Sequence, residues 1–405
     1  MKVINEGTIT SPAGFIAGAA ACGIKQSGKP DVSLVVSEVD CTAAAVFTLN
    51  QVAAAPVLLD KATLAENKTA VRAVLTNSGN ANASTGEPGM VNAQRMQQMT
   101  AAGLGCEPNQ VFVMSTGVIG QQLPMDKVGA GIETAVSDLS ASNGMAATEA
   151  IMTTDLVAKH LAVELELAGG KVTIGGMAKG SGMIHPNMAT MLGVVTTDAV
   201  VDADTLQETL RVATNKSFNR ITVDGDTSTN DTVILLANGA SSVAIDESNQ
   251  AEFQEALTYV STELAKMIVR DGEGATKFVE VQVSGAANED DALAVAQTIS
   301  TSPLVKTAFA GSDANWGRIL AAAGRAGVTF DQYQTGLWVG IEDVNGLQLV
   351  NNGTPTGYDE AAATAVFSAP DFKIRLDLGA GDATTTMWTT DLTHGYITIN
   401  ADYRT

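Results

Sequence analysis

Two periodicities interleave along this chain, and together they restrict the folds open to it. Apolar and polar residues alternate at Val32, Leu34 and Val36, from Val71 to Thr76, from Val111 to Met114, and at Val172 and Ile174. The same alternation returns from Phe278 to Val283, from Ile374 to Leu378 and from Tyr396 to Ile399. A period of two predicts strands with one face turned to a core. By contrast, Phe253, Ala256, Leu257, Val260, Leu264, Met267 and Ile268 recur at helical spacing and predict one long amphipathic helix. Shorter helices are expected after Pro124, Asp204 and Asp291, residue types that suit a helix N-terminus. There is no strict strand-helix-strand rhythm and no internal repeat, so the expected fold class is α/β in the layered α+β sense.

Composition says how such layers can pack. The chain has 405 residues, of which 45% are hydrophobic but only 4% aromatic, and 39 are glycine. Its core must therefore be built from Ala, Val, Ile and Leu in close contact with small residues. At about 100 to 200 residues per domain, the length implies two or three domains. The best boundary lies after Lys277, where the glycine-dense segment Asp271-Gly272-Glu273-Gly274-Ala275-Thr276-Lys277 gives way to a strand. That places one domain at residues 1–277 and a smaller one at 278–405.

Several function classes are disfavoured by the same counts. With 23 Lys and Arg against 44 Asp and Glu, the formal net charge is −21, which offers no basic footprint for nucleic acid or anionic lipid. Cys22, Cys41 and Cys106 are an odd number without metal-like spacing, which suits reduced thiols in a cytoplasmic protein. His160, His185 and His394 form no metal motif, so no metal site is expected. No apolar run is long enough to span a bilayer. The segment from Ala13 to Ile24 reads as a buried strand and turn rather than a leader.

Chemically, the densest segment is Lys179-Gly180-Ser181-Gly182-Met183-Ile184-His185-Pro186-Asn187-Met188-Ala189-Thr190. It is not a phosphate loop, because Lys179 precedes Gly180, nor a nucleophile elbow, which needs Gly-x-Ser-x-Gly with the serine central. From residue chemistry alone it is as readily a structural loop as a site, and His185, a lone histidine before a proline, reads as hydrogen-bonded scaffold ahead of general base. Gly129-Ala130-Gly131 and Gly379-Ala380-Gly381-Asp382 lack the third glycine of a dinucleotide fingerprint and read as close-packing turns. Thr76-Asn77-Ser78-Gly79-Asn80 and Thr227-Ser228-Thr229-Asn230 have the composition of turns.

A series of longer words resembles the ornithine acetyltransferase family, the self-processing glutamate N-acetyltransferases of arginine biosynthesis. They include Val46-Phe47-Thr48, Asn77-Ser78-Gly79-Asn80-Ala81-Asn82-Ala83, Ser115-Thr116-Gly117-Val118-Ile119-Gly120 and Ala189-Thr190-Met191-Leu192-Gly193. The series continues with Ser217-Phe218-Asn219-Arg220-Ile221-Thr222-Val223-Asp224-Gly225-Asp226, Gly311-Ser312-Asp313-Ala314-Asn315-Trp316-Gly317-Arg318 and the end of the chain from Asn400 to Thr405. The resemblance covers essentially the whole chain. Two departures stand out: Ser84 replaces an expected cysteine, and Leu156-Val157-Ala158-Lys159 replaces a more usual Thr-x-Pro-Lys.

The resemblance implies a sandwich of sheets flanked by helices, with a smaller C-terminal α/β domain whose tail returns to the active site. It implies self-cleavage between Ala189 and Thr190, giving an α chain of residues 1–189 and a β chain of 190–405 that assemble as α2β2. Thr190 becomes the nucleophile, its freed amine the base, and Thr116 with Gly117 the oxyanion hole. The implied substrate residues are Thr153, Lys179, Thr190, Glu273, Asn400 and Thr405. Lys179 suits the substrate carboxylate and Glu273 an ammonium group of ornithine. No cofactor or metal is implied. Whether acetyl-CoA serves as a second acetyl donor stays open, as does a related self-processed aminopeptidase or amidase, or an inactive binding homologue.

Overall fold

The structure is a computed structural model that describes residues 1–185 and 191–402. In chain order the elements begin with β1 (Lys2–Val3), β2 (Phe15–Ala20), β3 (Val32–Phe47), α1 (Ala55–Glu66), β4 (Val71–Asn80), α2 (Gly86–Leu104) and β5 (Val111–Val118). They continue through α3 (Met125–Ser137), α4 (Gly144–Ile151), β6 (Lys159–Leu167), β7 (Gly170–Lys179), β8 (Leu192–Thr197) and α5 (Ala203–Lys216). Next come β9 (Ile221–Thr222), β10 (Thr232–Ala237), α6 (Gln250–Arg270), β11 (Phe278–Ala286), α7 (Glu289–Ser300), α8 (Pro303–Ala310) and α9 (Trp316–Gly324). The last elements are β12 (Gly336–Gly340), β13 (Leu347–Asn351), β14 (Thr354–Pro355), α10 (Glu360–Ser368), β15 (Asp371–Asp377), β16 (Ala383–Thr390) and α11 (His394–Asp402). Contacts divide the chain into two units. Of the described residues, the first comprises Met1–Asn219 and Asp226–Ile268, and the second comprises Arg220–Gly225 and those from Val269 to 402.

The first unit is organised by β3. Its early residues, Val32 to Val36, pair with β2 and β4, and its later residues, Thr42 to Phe47, pair with β10. The pairing register shifts between Val36 and Cys41, where Glu38, Val39 and Asp40 are exposed. One long strand therefore serves two halves of a nine-stranded sheet ordered β1-β6-β7-β8-β10-β3-β4-β5, with β2 also on β3. Period-two alternation then assigns faces. Val35, Val74 and Phe112 from one half share a core with Met177, Val194 and Ile234 from the other, and with Ala147 and Ile151 of α4. The opposite face, with Leu34, Leu75 and Val113, packs against Met96 of α2 and Val128 and Ile132 of α3. Small residues permit close approach: a Cβ at Gly131 would stand 2.9 Å from Cys22 and Val32. This is the layered α/β sandwich expected.

The second unit holds a seven-stranded sheet ordered β14-β13-β12-β15-β11-β16-β9. Its core gathers Val279, Val281, Val295, Ile299, Ile374 and Leu376 around the ring cluster of Phe309, Phe367 and Phe372, whose centroids lie 5.0 to 6.1 Å apart. Strand β11, which the sequence pattern sets at the start of the smaller domain, runs parallel to β15 and antiparallel to β16.

Three local expectations are corrected. Residues Tyr396 to Ile399 belong to helix α11 rather than a strand. Their alternation carries no burial, since Ile397 is 62% exposed, and Thr398 and Asn400 satisfy helical carbonyls four residues back. The segment from Thr76 to Asn80 continues β4, with Asn77 buried, so its turn-like composition was outweighed by pairing to β5. Gly129 and Gly131 lie inside α3, where they serve close packing without making a turn. Helices α5 and α7 start slightly before Asp204 and Asp291, capped by the side chains of Asp202 and Asn288.

Candidate active site

In the first unit the site residues gather where β5 and β7 end. Ser115 donates to Asn77 Oδ1 at 2.6 Å, which ties β5 to its neighbour β4. The register slips immediately afterwards, with Asn80 opposite both Thr116 and Val118. Such a bulge bends a strand and re-aims its side chains. Gly117 makes the bend possible: its φ is +132°, and a Cβ there would sit 2.3 Å from the carbonyl carbon of Gly79.

Facing this bend, Lys179 at the end of β7 is buried and donates from Nζ to Thr116 Oγ1 at 3.2 Å. Its surroundings are arranged by Asp155, a residue that no sequence argument singled out. Asp155 Oδ2 accepts from the backbone N–H of Thr153 at 2.9 Å, and Oδ1 accepts from the N–H of Gly180 and from Lys159 Nζ, both at 2.7 Å. The Asp155–Lys159 ion pair is fully enclosed. Burial pushes the Asp155 carboxyl up, but the Lys179 and Lys159 ammoniums and the hydrogen bonds from Lys159 and Thr153 outweigh it. The carboxyl is held below the usual carboxylate range. Lys25 adds a further cation nearby; burial lowers it to about 8 against the pull of Asp31 and Asp155. His185 is lowered by burial, opposed by Asp226, and so favours neutral imidazole.

Two more residues escaped the sequence reading. Asn230 donates to Ala81 O at 2.7 Å and Ser115 O at 2.8 Å, bracing the strand end that carries Thr116. Asp231 accepts from the N–H of Met191 at 2.8 Å and so anchors the first described residue after Thr190. Their only sequence signal was a polar loop of turn-like composition.

The second unit brings together a separate pair. Asn400 Nδ2 donates to Glu273 Oε2 at 2.8 Å, so Glu273 is not a freely solvated carboxylate. Its loop is pinned on the far side, where Asp391 accepts from the N–H of Thr276 at 2.9 Å and of Lys277 at 3.2 Å. Thr393 donates to Gly274 O at 2.6 Å. Gly274 has φ +68°, and a Cβ there would stand 2.3 Å from Tyr396 N. Behind Asp391, the fully buried Lys306 donates to Thr389 Oγ1, Thr390 O and Thr390 Oγ1.

Of the expected site residues, the structure thus joins Thr116 to Lys179 directly and Thr153 to Lys179's neighbour Gly180 through Asp155, with Gly117 shaping the strand end. It joins Glu273 to Asn400 in the other unit. Ala189, Thr190 and Thr405 lie outside the described residues. Among the described residues no group of three or more His, Cys, Asp or Glu side chains is placed to hold a metal, and no helix is long and apolar enough to cross a membrane.

Known proteins share this sequence over nearly its full length. The model of the ArgJ family matches residues 16–405. The arginine biosynthesis bifunctional protein ArgJ of Symbiobacterium thermophilum is 51% identical over 404 residues, covering 98% of this chain and 99% of that protein. The protein of the same name from Parasynechococcus marenigrum is 48% identical over 400 residues, covering 99% and 96%. A solved structure of the ornithine acetyltransferase of Mycobacterium tuberculosis, complexed with ornithine, is 41% identical and covers 46% of this chain and 97% of that one, with a TM-score of 0.43.

Proposed function

The chain belongs to the ArgJ family, and from that premise we propose that it moves the acetyl group of N2-acetylornithine to glutamate through an acetyl-Thr190 intermediate. Family membership over essentially the whole chain carries this reading, and the paired Thr116 and Lys179 support it. The chain cleaves itself between Ala189 and Thr190. A threonine hydroxyl is a weak nucleophile, but the amine released by cleavage has an ordinary pKa of about 7.7 to 8.0 and can take the hydroxyl proton at working pH. Thr190 Oγ attacks the acetyl carbonyl, a tetrahedral oxyanion forms, and the carbon–nitrogen bond breaks as the proton passes to the departing ornithine. Glutamate's amine then attacks the acetyl ester and regenerates the hydroxyl.

Thr116 and Gly117 serve as oxyanion donors, each worth about two to three orders of magnitude in rate. Thr153, Lys179, Thr190, Glu273, Asn400 and Thr405 hold substrate. Glu273, oriented by Asn400, meets a substrate ammonium. The relatives are named bifunctional, which favours a second reaction here, acetylation of glutamate from acetyl-CoA. The cleaved chains assemble as α2β2 in the cytoplasm.

Incubating purified protein with N-acetylornithine and glutamate should yield N-acetylglutamate and ornithine. Acetate in place of N-acetylglutamate would assign the chain to hydrolysis instead. Denaturing mass measurement should find two fragments divided at Thr190. Free thiol released from acetyl-CoA in the presence of glutamate tests the second reaction.

A further inference from the structure

The hydrogen bond between Lys179 and Thr116 can run in one direction only. An ammonium has three donors and no acceptor, whereas a hydroxyl has one proton and two lone pairs. Lys179 Nζ therefore occupies a lone pair of Thr116 Oγ1 and leaves that hydroxyl's proton to point elsewhere. Among the described residues the Thr116 hydroxyl donates to no acceptor, although Thr116 is 8% exposed and Lys179 4%. A buried hydroxyl that accepts from a cation is polarised by it, because charge-assisted hydrogen bonds are stronger and neighbouring bonds reinforce one another. Asp155 keeps the donor in place by binding the N–H of Gly180, the residue that follows Lys179.

Resting on the acetyl-transfer reading, we propose that Lys179 is a positioning residue for the oxyanion hole: it commits the Thr116 proton to the developing oxyanion, with Asp155 as the anchor of the pair. This differs from a lysine that only binds substrate carboxylate. A carboxylate-binding lysine matters only to substrates that carry a carboxylate, whereas one acting through Thr116 matters to every acyl donor.

The test uses p-nitrophenyl acetate, which has no carboxylate, on the full-length protein, with each rate normalised to the cleaved fraction. Lys179→Met should slow acylation of the nucleophile roughly 10- to 100-fold, and should cost less than about 3-fold in a Thr116→Ala background, since coupled residues are not additive. Should Lys179→Met remain uncleaved, Lys179→Arg replaces it, with a smaller loss that likewise disappears in Thr116→Ala. An unchanged rate with p-nitrophenyl acetate, equal losses in both backgrounds, or no detectable acylation of the unsubstituted enzyme would each overturn the proposal. A protein that is acylated and shows the coupling but makes no N-acetylglutamate would sink the transferase reading while leaving this one standing.

Discussion

Each unit buries a lysine behind its candidate site residues, and the two meet the cost of burial in different ways. In the first unit Lys159 touches the Asp155 carboxylate at 2.7 Å, and that carboxylate also organises Thr153 and Gly180. In the second unit the three acceptors around Lys306 are all neutral: two threonine hydroxyls and a carbonyl. Burial lowers Lys306 to about 7, with Asp391 and Asp224 pulling the other way from greater distance. A contacting carboxylate thus gives the first site's lysine an opposite charge to pair with, whereas neutral acceptors leave Lys306 near its titration point at neutral pH.

The largest expected effect comes from removing the carboxylate. Asp155→Ala leaves Lys159 enclosed without its partner and should cost about 3 to 5 kcal/mol in urea-induced unfolding. Asp391→Asn should cost about 1 kcal/mol, because Lys306 does not depend on contact with that carboxylate. Equal losses would break the comparison.

Separate pH windows sharpen it further. Folding lowers Lys306 from 10.5 to about 7, so the unfolded chain binds more protons between those values and stability climbs as pH rises through that window. Between pH 7 and 9 the gain should reach about 2 kcal/mol, and it should vanish in Lys306→Met. Asp155 acts in the same direction but in a more acidic window. Its carboxyl is lowered from 3.8 by folding, so its contribution is present above about pH 4 and is lost only as pH falls through the depressed folded value. Hydrogen exchange read separately in β7 and β16 from acid to alkaline pH should reveal the two windows.

The smallest effect tests the site pair itself. Asn400→Ala removes the hydrogen bond that orients Glu273, at a cost near 1 kcal/mol. The KM for N-acetylornithine should rise roughly fivefold while kcat changes little. A change confined to kcat would mean that Asn400 does not act through Glu273.

Most of the architecture was legible in the residue pattern where periodicity coincided with burial. The helix containing Phe253 and Ile268 and the strands at Val71 and Val111 all follow that rule. The rule failed from Tyr396 to Ile399, where alternation occurred on an exposed segment that bonds to its own carbonyls. The site was legible through longer words resembling a known family, because Ser115-Thr116-Gly117 taken alone reads as a strand end. Asp155 could not be found that way. Its partner Gly180 lies 25 residues distant, and nothing in a lone Thr-Asp dipeptide signals a buried ion pair.

By itself, then, the sequence determined the layers, the small-residue core and the family, because these follow from local periodicity, composition and word order. Only the tertiary structure decided which charges meet. It set Lys179 on Thr116 and Lys159 on Asp155, and it left Lys306 among neutral oxygens. The physical reason is that a buried charge takes its protonation state and its hydrogen-bond direction from atoms within about 4 Å; for Lys179 and Lys306 those atoms come from distant parts of the chain, and burial alone encloses the neighbouring pair of Lys159 and Asp155.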